Sequence, residues 1–169
     1  AINITGTAAD NTLEGGAGAN SLSGLGGKDR LDGGAGNDTL NGGDGDDWLI
    51  GGAGSDVIVG GAGTADVVDY EGSASAINVD GPAGTISNAD GTDTISGIEG
   101  LQASHFNDTI SAGNADDFII ALGGDDSVSA GGGNDSIDLG SGNNTVDGGT
   151  GNDLIFTGAL GNDSIVGGA

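Results

Sequence analysis

Cysteine is absent from the 169 residues, so no disulfide can staple this chain and no thiolate is offered to a soft metal. Methionine is absent too, at residue 1 and after it, which gives the expectation that the chain is part of a larger protein with neighbouring domains as partners. Aromatic residues make up 3% and proline occurs once, at Pro82, so a conventional core built on bulky side chains is out of reach. Lys28 and Arg30 are the only basic residues. Two cations cannot form a basic patch, which excludes nucleic acid and disfavours anionic membrane surfaces as partners. No apolar run is long enough for a signal peptide or a membrane span, so targeting information is expected outside this segment. A single histidine, His105, leaves no catalytic triad that spacing supports, and no enzyme activity is expected.

What the chain does have is glycine, 40 residues of it, and 26 acidic residues that bring the net charge to −24. A chain this acidic and this glycine-rich would ordinarily stay disordered. A compact state requires something to neutralise the carboxylates, and their regular placement points to a cation.

Residues 33–59 read GGAGNDTLN, GGDGDDWLI and GGAGSDVIV, three nine-residue units with nothing between them. Each has Gly at positions one, two and four, Asp at position six (Asp38, Asp47, Asp56) and an aliphatic at position eight (Leu40, Leu49, Ile58). Upstream, weaker units carry Leu13, Leu22 and Leu31 at position eight, with Asn11, Asn20 and Asp29 at position six. A further unit holds one extra residue before Asp66 and ends its phase at Val68. The phase returns at Ala103, with Ile110, Ile119, Val128, Ile137, Val146 and Ile155 at position eight. The sixth positions there are Asp108, Asp117, Asp126, Asp135, Asn144 and Asp153, followed by a longer unit with Asp163 and Ile165. The expected division is therefore 1–68 and 103–169 as two repeat blocks, with 69–102 an irregular β insertion that bridges them. Trp48 falls at an outward seventh position and is expected to pack on that insertion or on a neighbouring domain. Tyr70 and Glu71, where the phase breaks, are expected at a cap or junction, and His105 on the surface of a turn.

Nine residues divide into six that turn and three that form a strand. Glycine at positions one, two and four allows positive φ and close approach of neighbouring turns, and Asn or Asp at position five tolerates a left-handed conformation. Only the middle residue of a three-residue strand points inward, which accounts for the constant aliphatic at position eight. Two units then make one coil of about eighteen residues, and coils stack at about 4.8 Å. Stacking brings sixth-position Asp residues of alternate units together in a column that repels itself unless a hard divalent cation lies within it. Calcium suits a flexible all-oxygen cage that includes carbonyls, whereas magnesium holds its waters and zinc lacks His and Cys ligands here. With so thin a core, folding is expected to depend on the metal.

At these residues the chain resembles the RTX (haemolysin-type) calcium-binding nonapeptide-repeat family. The resemblance covers about 1–68 and 103–169. It implies an all-β fold, a parallel β-roll or right-handed solenoid, in two roll blocks joined by the insertion. It also implies ligands: carbonyls of positions two and four plus the Asp of one turn, facing carbonyls of positions one and three plus the Asp of the turn one coil later. Carried over, Leu25, Gly27 and Asp29 face Gly42, Asp44 and Asp47, and Gly34, Gly36 and Asp38 face Gly51, Ala53 and Asp56. In the second block Ser104, Phe106 and Asp108 face Ala121, Gly123 and Asp126, and Gly113, Ala115 and Asp117 face Ala130, Gly132 and Asp135. Finally Gly131, Gly133 and Asp135 face Gly148, Thr150 and Asp153. These five pairs carry Asp on both sides; Asn20 and Asn144 weaken others, and the extra residues before Asp66 and Asp163 disturb their alignment. The family implies a calcium-binding module that folds outside the cell after type I secretion, in a secreted or cell-surface bacterial protein. The alternative is a calcium-dependent accessory module of a polysaccharide-modifying enzyme such as an alginate epimerase, although the low basic count speaks against holding an anionic glycan directly.

Overall fold

The computed structural model describes residues 1–158 and 160–168. Among them there are strands and turns but no helix. The strands in chain order are β1 (Asn3–Thr5), β2 (Thr12–Glu14), β3 (Ser21–Gly26), β4 (Arg30–Asp32), β5 (Thr39–Asp44), β6 (Trp48–Ile50), β7 (Val57–Ala62) and β8 (Val67–Asp69). They continue with β9 (Asn78–Asp80), β10 (Thr85–Ser87), β11 (Thr92–Ser96), β12 (Gly100–Gln102), β13 (Thr109–Ser111) and β14 (Phe118–Ile120). The last are β15 (Ser127–Ser129), β16 (Ser136–Asp138), β17 (Thr145–Asp147), β18 (Leu154–Phe156) and β19 (Ser164–Val166). The fold is an all-strand parallel β-roll. Its strands are short because glycine-rich turns interrupt them every few residues.

The first compact unit comprises Ala1–Tyr70 and Asp90–Gly100. Its two ladders run β1–β3–β5–β7–β11 and β2–β4–β6–β8. Parallel register stacks Leu22, Leu40, Ile58 and Ile95 in one column and Leu13, Leu31, Leu49 and Val68 in the other. Leu31, Leu40, Leu49 and Ile58 lose all contact with solvent. The outer face is polar apart from a few residues. Among these, Trp48 is half-buried and donates its indole N–H to Asp69 Oδ2 at 2.9 Å.

The second unit comprises Glu71–Ala89 and Leu101–Ala169. Its ladders are β10–β9–β13–β15–β17–β19 and β12–β14–β16–β18. Here β9 and β10 form an antiparallel hairpin, its turn held by a Gly84 N–H to Gly81 carbonyl bond of 2.9 Å across Pro82. From β9 onward the register is parallel, stacking Val79, Ile110, Val128, Val146 and Ile165. Ile119, Ile137 and Ile155 form the facing column. In the column that starts at Val79, burial is lost only at the last member: Val146 is 1% exposed and Ile165 41%.

The turns use glycine differently from the expectation. Positive φ occurs at positions two and four, as at Gly34 (94°) and Gly36 (116°), and not at the first-position glycines Gly33 and Gly51. Position five does not adopt it either. Among the described residues the non-glycines with positive φ are Leu25 (78°) and Leu122 (69°), each at a second position. First-position glycine is therefore present for space, a point the metal centres make explicit. Deleting a buried eighth-position side chain creates a cavity in a column with no slack, so Leu40→Ala is expected to destabilise the calcium-saturated chain by about 2–5 kcal/mol. Ile165→Ala, at the same repeat position but exposed, is expected to cost less than about 1 kcal/mol in the same urea titration.

Candidate metal centres

Each sixth-position side chain lies at the edge of a coil, where the chain leaves a turn and enters a strand. Strand alternation turns it inward, and Asp29, Asp38, Asp47, Asp56, Asp66, Asp126 and Asp135 are all buried. One carboxylate oxygen has a constant use. Asp38 Oδ1 accepts the Asn20 N–H at 2.6 Å, Asp56 Oδ1 the Asp38 N–H at 2.7 Å, and Asp47 Oδ1 the Asp29 N–H at 2.8 Å. The second unit repeats this: Asp126 Oδ1 accepts from Asp108, Asp135 from Asp117 and Asp153 from Asp135, at 2.8–3.1 Å. Every such bond joins one coil to the next.

The other oxygen of most of these groups has no such use, although Asp117 Oδ2 accepts the Gly113 N–H at 3.3 Å. Oδ2 of Asp29, Asp38, Asp47, Asp56, Asp66, Asp126, Asp135 and Asp153 is buried and accepts no hydrogen bond. A buried, unpartnered carboxylate oxygen is expensive, and eight of them in columns require a counter-charge. Space is kept beside them. A Cβ on Gly33 would stand 2.6 Å from Asp38 Oδ2 and 2.7 Å from the Gly51 carbonyl, and one on Gly51 would stand 2.6 Å from Asp56 Oδ2. In the second unit Gly148 keeps the same room by Asp153, whereas Ala121 and Ala130 fill the first position with buried methyl groups. The hollow is therefore tighter beside Asp126 and Asp135.

Burial is the main reason these groups hold protons more tightly than free aspartate. It pushes Asp56 up to about 6, with the neighbouring Asp93 and Asp38 charges adding to it, and Asp126 up to about 6, with Asp108 and Asp125 adding. Asp38, Asp47, Asp66 and Asp135 are raised for the same first cause.

The expected carbonyl donors lie in the adjoining turns. Gly34 O accepts the Ala53 N–H at 2.8 Å and Ala53 O the Gly36 N–H at 2.7 Å, while Asp44 O accepts the Gly27 N–H at 2.9 Å. Gly131 O accepts the Thr150 N–H and Thr150 O the Gly133 N–H, each at 2.9 Å, and Gly113 O accepts the Gly132 N–H at 3.1 Å. Each such carbonyl keeps a second lone pair. Leu25 and Gly42 stand in the same coils, with Leu25 in register with Gly43; Phe106, Ala115 and Gly123 occupy the corresponding turns of the second unit. Among the described residues no three acidic, His or Cys side chains converge, so a metal here would draw on carbonyls to complete its shell. Oxygen-only donors, paired carboxylates and an uncrowded hollow fit a hard divalent cation, calcium in particular.

Nine-residue counting left the alignment of Asp66 and Asp163 open and did not place Asp93 or Glu99 in the columns. Asp66 and Asp163 each follow an extra residue, yet both stay in register: Asp66 Oδ1 accepts the Asp47 N–H at 2.8 Å and Asp163 Oδ1 the Asn144 N–H at 2.9 Å. The turn absorbs the insertion. Asp93, from the fragment Gly91-Thr92-Asp93-Thr94-Ile95, accepts the Asp56 N–H at 2.7 Å, and Glu99 Oε2 accepts the Asp66 N–H at 3.0 Å. Both come from 69–102 and extend the first unit's two columns.

Position five also has a different role from the expected one. Its side chains form an outer ladder that runs in the opposite sense. Asp116 Oδ1 accepts the Asn134 N–H at 2.6 Å, and Asn134 Oδ1 the Asn152 N–H at 3.1 Å, with the amide Nδ2 groups donating to the same oxygens. Asn107, Asp125 and Asn143 do likewise. In the first unit Lys28 bridges this ladder, its N–H on Asp10 and its Nζ 2.7 Å from Asp46.

A family model described as RTX calcium-binding nonapeptide repeat (4 copies) matches residues 5–40, 33–64, 104–137, 121–155 and 138–169, more than half of the chain. No curated protein matches it.

The raised carboxylates fix a sign for the pH response. Their folded values lie above the unfolded one, so the metal-free fold keeps their contribution below about pH 4 and loses it as pH rises through about 6. Far-UV circular dichroism in excess chelator should therefore record more strand at about pH 4 than at about pH 7. Calcium half-saturation should shift to higher concentration as pH falls from about 7 to about 5, because protons compete for the same oxygens.

Proposed function

The chain belongs to the RTX calcium-binding nonapeptide repeat family, and from that premise we propose that it is a structural module that folds when it takes up several calcium ions. The observation that carries this is the set of eight buried Oδ2 atoms, on Asp29, Asp38, Asp47, Asp56, Asp66, Asp126, Asp135 and Asp153, that the chain itself leaves without a donor. Calcium when bound supplies the positive charge those columns need and accepts carbonyl oxygens alongside. The chain's own residues do the rest. Asp29 with Asp47, Asp38 with Asp56, Asp117 with Asp135, and Asp135 with Asp153 supply paired carboxylates, and Asp66 extends the first set from Asp47. Turn carbonyls of Leu25, Gly27, Gly34, Gly36, Gly42, Asp44, Gly51 and Ala53 complete the cages of the first unit. Those of Gly113, Ala115, Ala130, Gly131, Gly132, Gly133, Gly148 and Thr150 serve the second.

Such a module is suited to the outside of a cell. An acidic chain exported unfolded meets calcium there and stiffens into a spacer between the other domains of its parent protein, with no catalysis of its own. No helix among the described residues is long and apolar enough to cross a membrane. Far-UV circular dichroism tests the proposal at neutral pH: strand signal is expected to appear with added calcium and to vanish in excess chelator. Asp56→Asn should raise the calcium midpoint by about tenfold or more, as loss of a ligand charge does. A spectrum indifferent to chelator would refute the proposal.

A further inference from the structure

Two carboxylates in the columns differ most from the others; at a third, Asp117, Oδ2 accepts only a long bond of 3.3 Å from the Gly113 N–H. Tyr70 follows β8 and is buried, and its hydroxyl donates to Asp93 Oδ2 across 2.5 Å. That is the oxygen left without a donor at Asp38 and Asp56 in the same column. Asp93 Oδ1 accepts the Asp56 N–H as an ordinary rung does, so both of its oxygens are engaged by the chain. In the second unit Asp108 reaches the same condition with other residues. Ser104, fully buried, donates its N–H to Asp108 Oδ2 at 2.9 Å and its hydroxyl to Oδ1 at 2.6 Å, and the Ile77 N–H reaches Oδ1 at 2.8 Å.

Beyond Asp108 the next rung is Ile77, which brings a backbone donor and no second carboxylate. A hydroxyl satisfies one carboxylate without needing an acidic partner on the far side; a divalent cation needs that partner.

We infer that Asp93 and Asp108 are metal-free end rungs, closed by Tyr70 and Ser104, and that the calcium columns of each unit stop short of them. The inference rests on the calcium-binding function proposed above. It also separates Asp108, and with it Ser104, Phe106, Ala121 and Gly123, from the ligand sets that the repeat pattern alone suggests. Tyr70 is thus a positioning residue: it fixes Asp93, which fixes the Asp56 amide.

Calcium uptake by the full chain, counted by native mass spectrometry and isothermal titration, tests this. Asp93→Asn and Asp108→Asn should bind as many ions as the unaltered chain, whereas Asp38→Asn should bind fewer. Tyr70→Phe keeps the ring and removes the donor. It should bind no fewer ions, and it should melt about 3–10 °C lower at saturating calcium, the size expected for one charged hydrogen bond. Loss of an ion from Asp93→Asn or Tyr70→Phe, or an unchanged melting temperature in Tyr70→Phe, overturns the assignment at Asp93. Loss of an ion from Asp108→Asn overturns it at Asp108. An unaltered chain that takes up no calcium overturns the proposed function and this inference with it. Tyr70→Phe decides the matter at Asp93 even if Asp93→Asn does not fold.

Discussion

Repulsion between stacked, buried carboxylates governs this structure. At a coil spacing of about 4.8 Å, two like charges in a medium of effective dielectric near 20 repel by roughly 3–4 kcal/mol. The coil-to-coil bond from a backbone N–H to Oδ1 returns about 1.5–3 kcal/mol as a hydrogen bond to a charged group. Repulsion therefore wins along each column before desolvation of Oδ2 is counted. The same geometry that sets Asp38 against Asp56, and Asp117 against Asp135, creates an oxygen-lined place suited to a hard cation. Under the proposed function, stability and metal affinity are one quantity.

Around that constraint the nine positions share the work. Position eight supplies the apolar column, position six the carboxylates, and positions two and four the left-handed turns. Position one keeps space at the carboxylate, by having no side chain in the first unit. Position five clamps neighbouring coils from outside through Asn and Asp ladders that need no metal, as in Asp116–Asn134–Asn152. The inner and outer ladders donate in opposite directions along the stack, so a coil shifted in either sense breaks one of them.

The repeat made the aliphatic columns and the ordinary rungs legible from sequence, because Leu22, Leu40 and Ile58 recur at a fixed interval and strands alternate. Counting failed where the interval changed. Asp93 follows Asp56 by 37 residues and Asp66 follows Asp47 by 19, and only the folded register reveals that each occupies the next rung. The ladder at position five was hidden for another reason: Asn and Asp suit several turn roles, and a left-handed backbone was the wrong one here. Tyr70 could be noticed in the sequence as a residue where the repeat breaks, and Ser104 only as a second-position residue of the unit that opens at Ala103. Which atoms they reach is a tertiary fact, since Tyr70 meets Asp93 only after the chain has returned to the stack.

Hydrogen exchange at the sixth-position amides, followed during a calcium titration at neutral pH, tests the central coupling most directly. These N–H groups of Asn20, Asp29, Asp38 and Asp117 donate to the carboxylate of the next coil, so they report the assembled column itself. Protection is predicted to rise in step with calcium uptake and to be lost in excess chelator. Equal protection with and without calcium would contradict the account, because the columns would then be stable on their own.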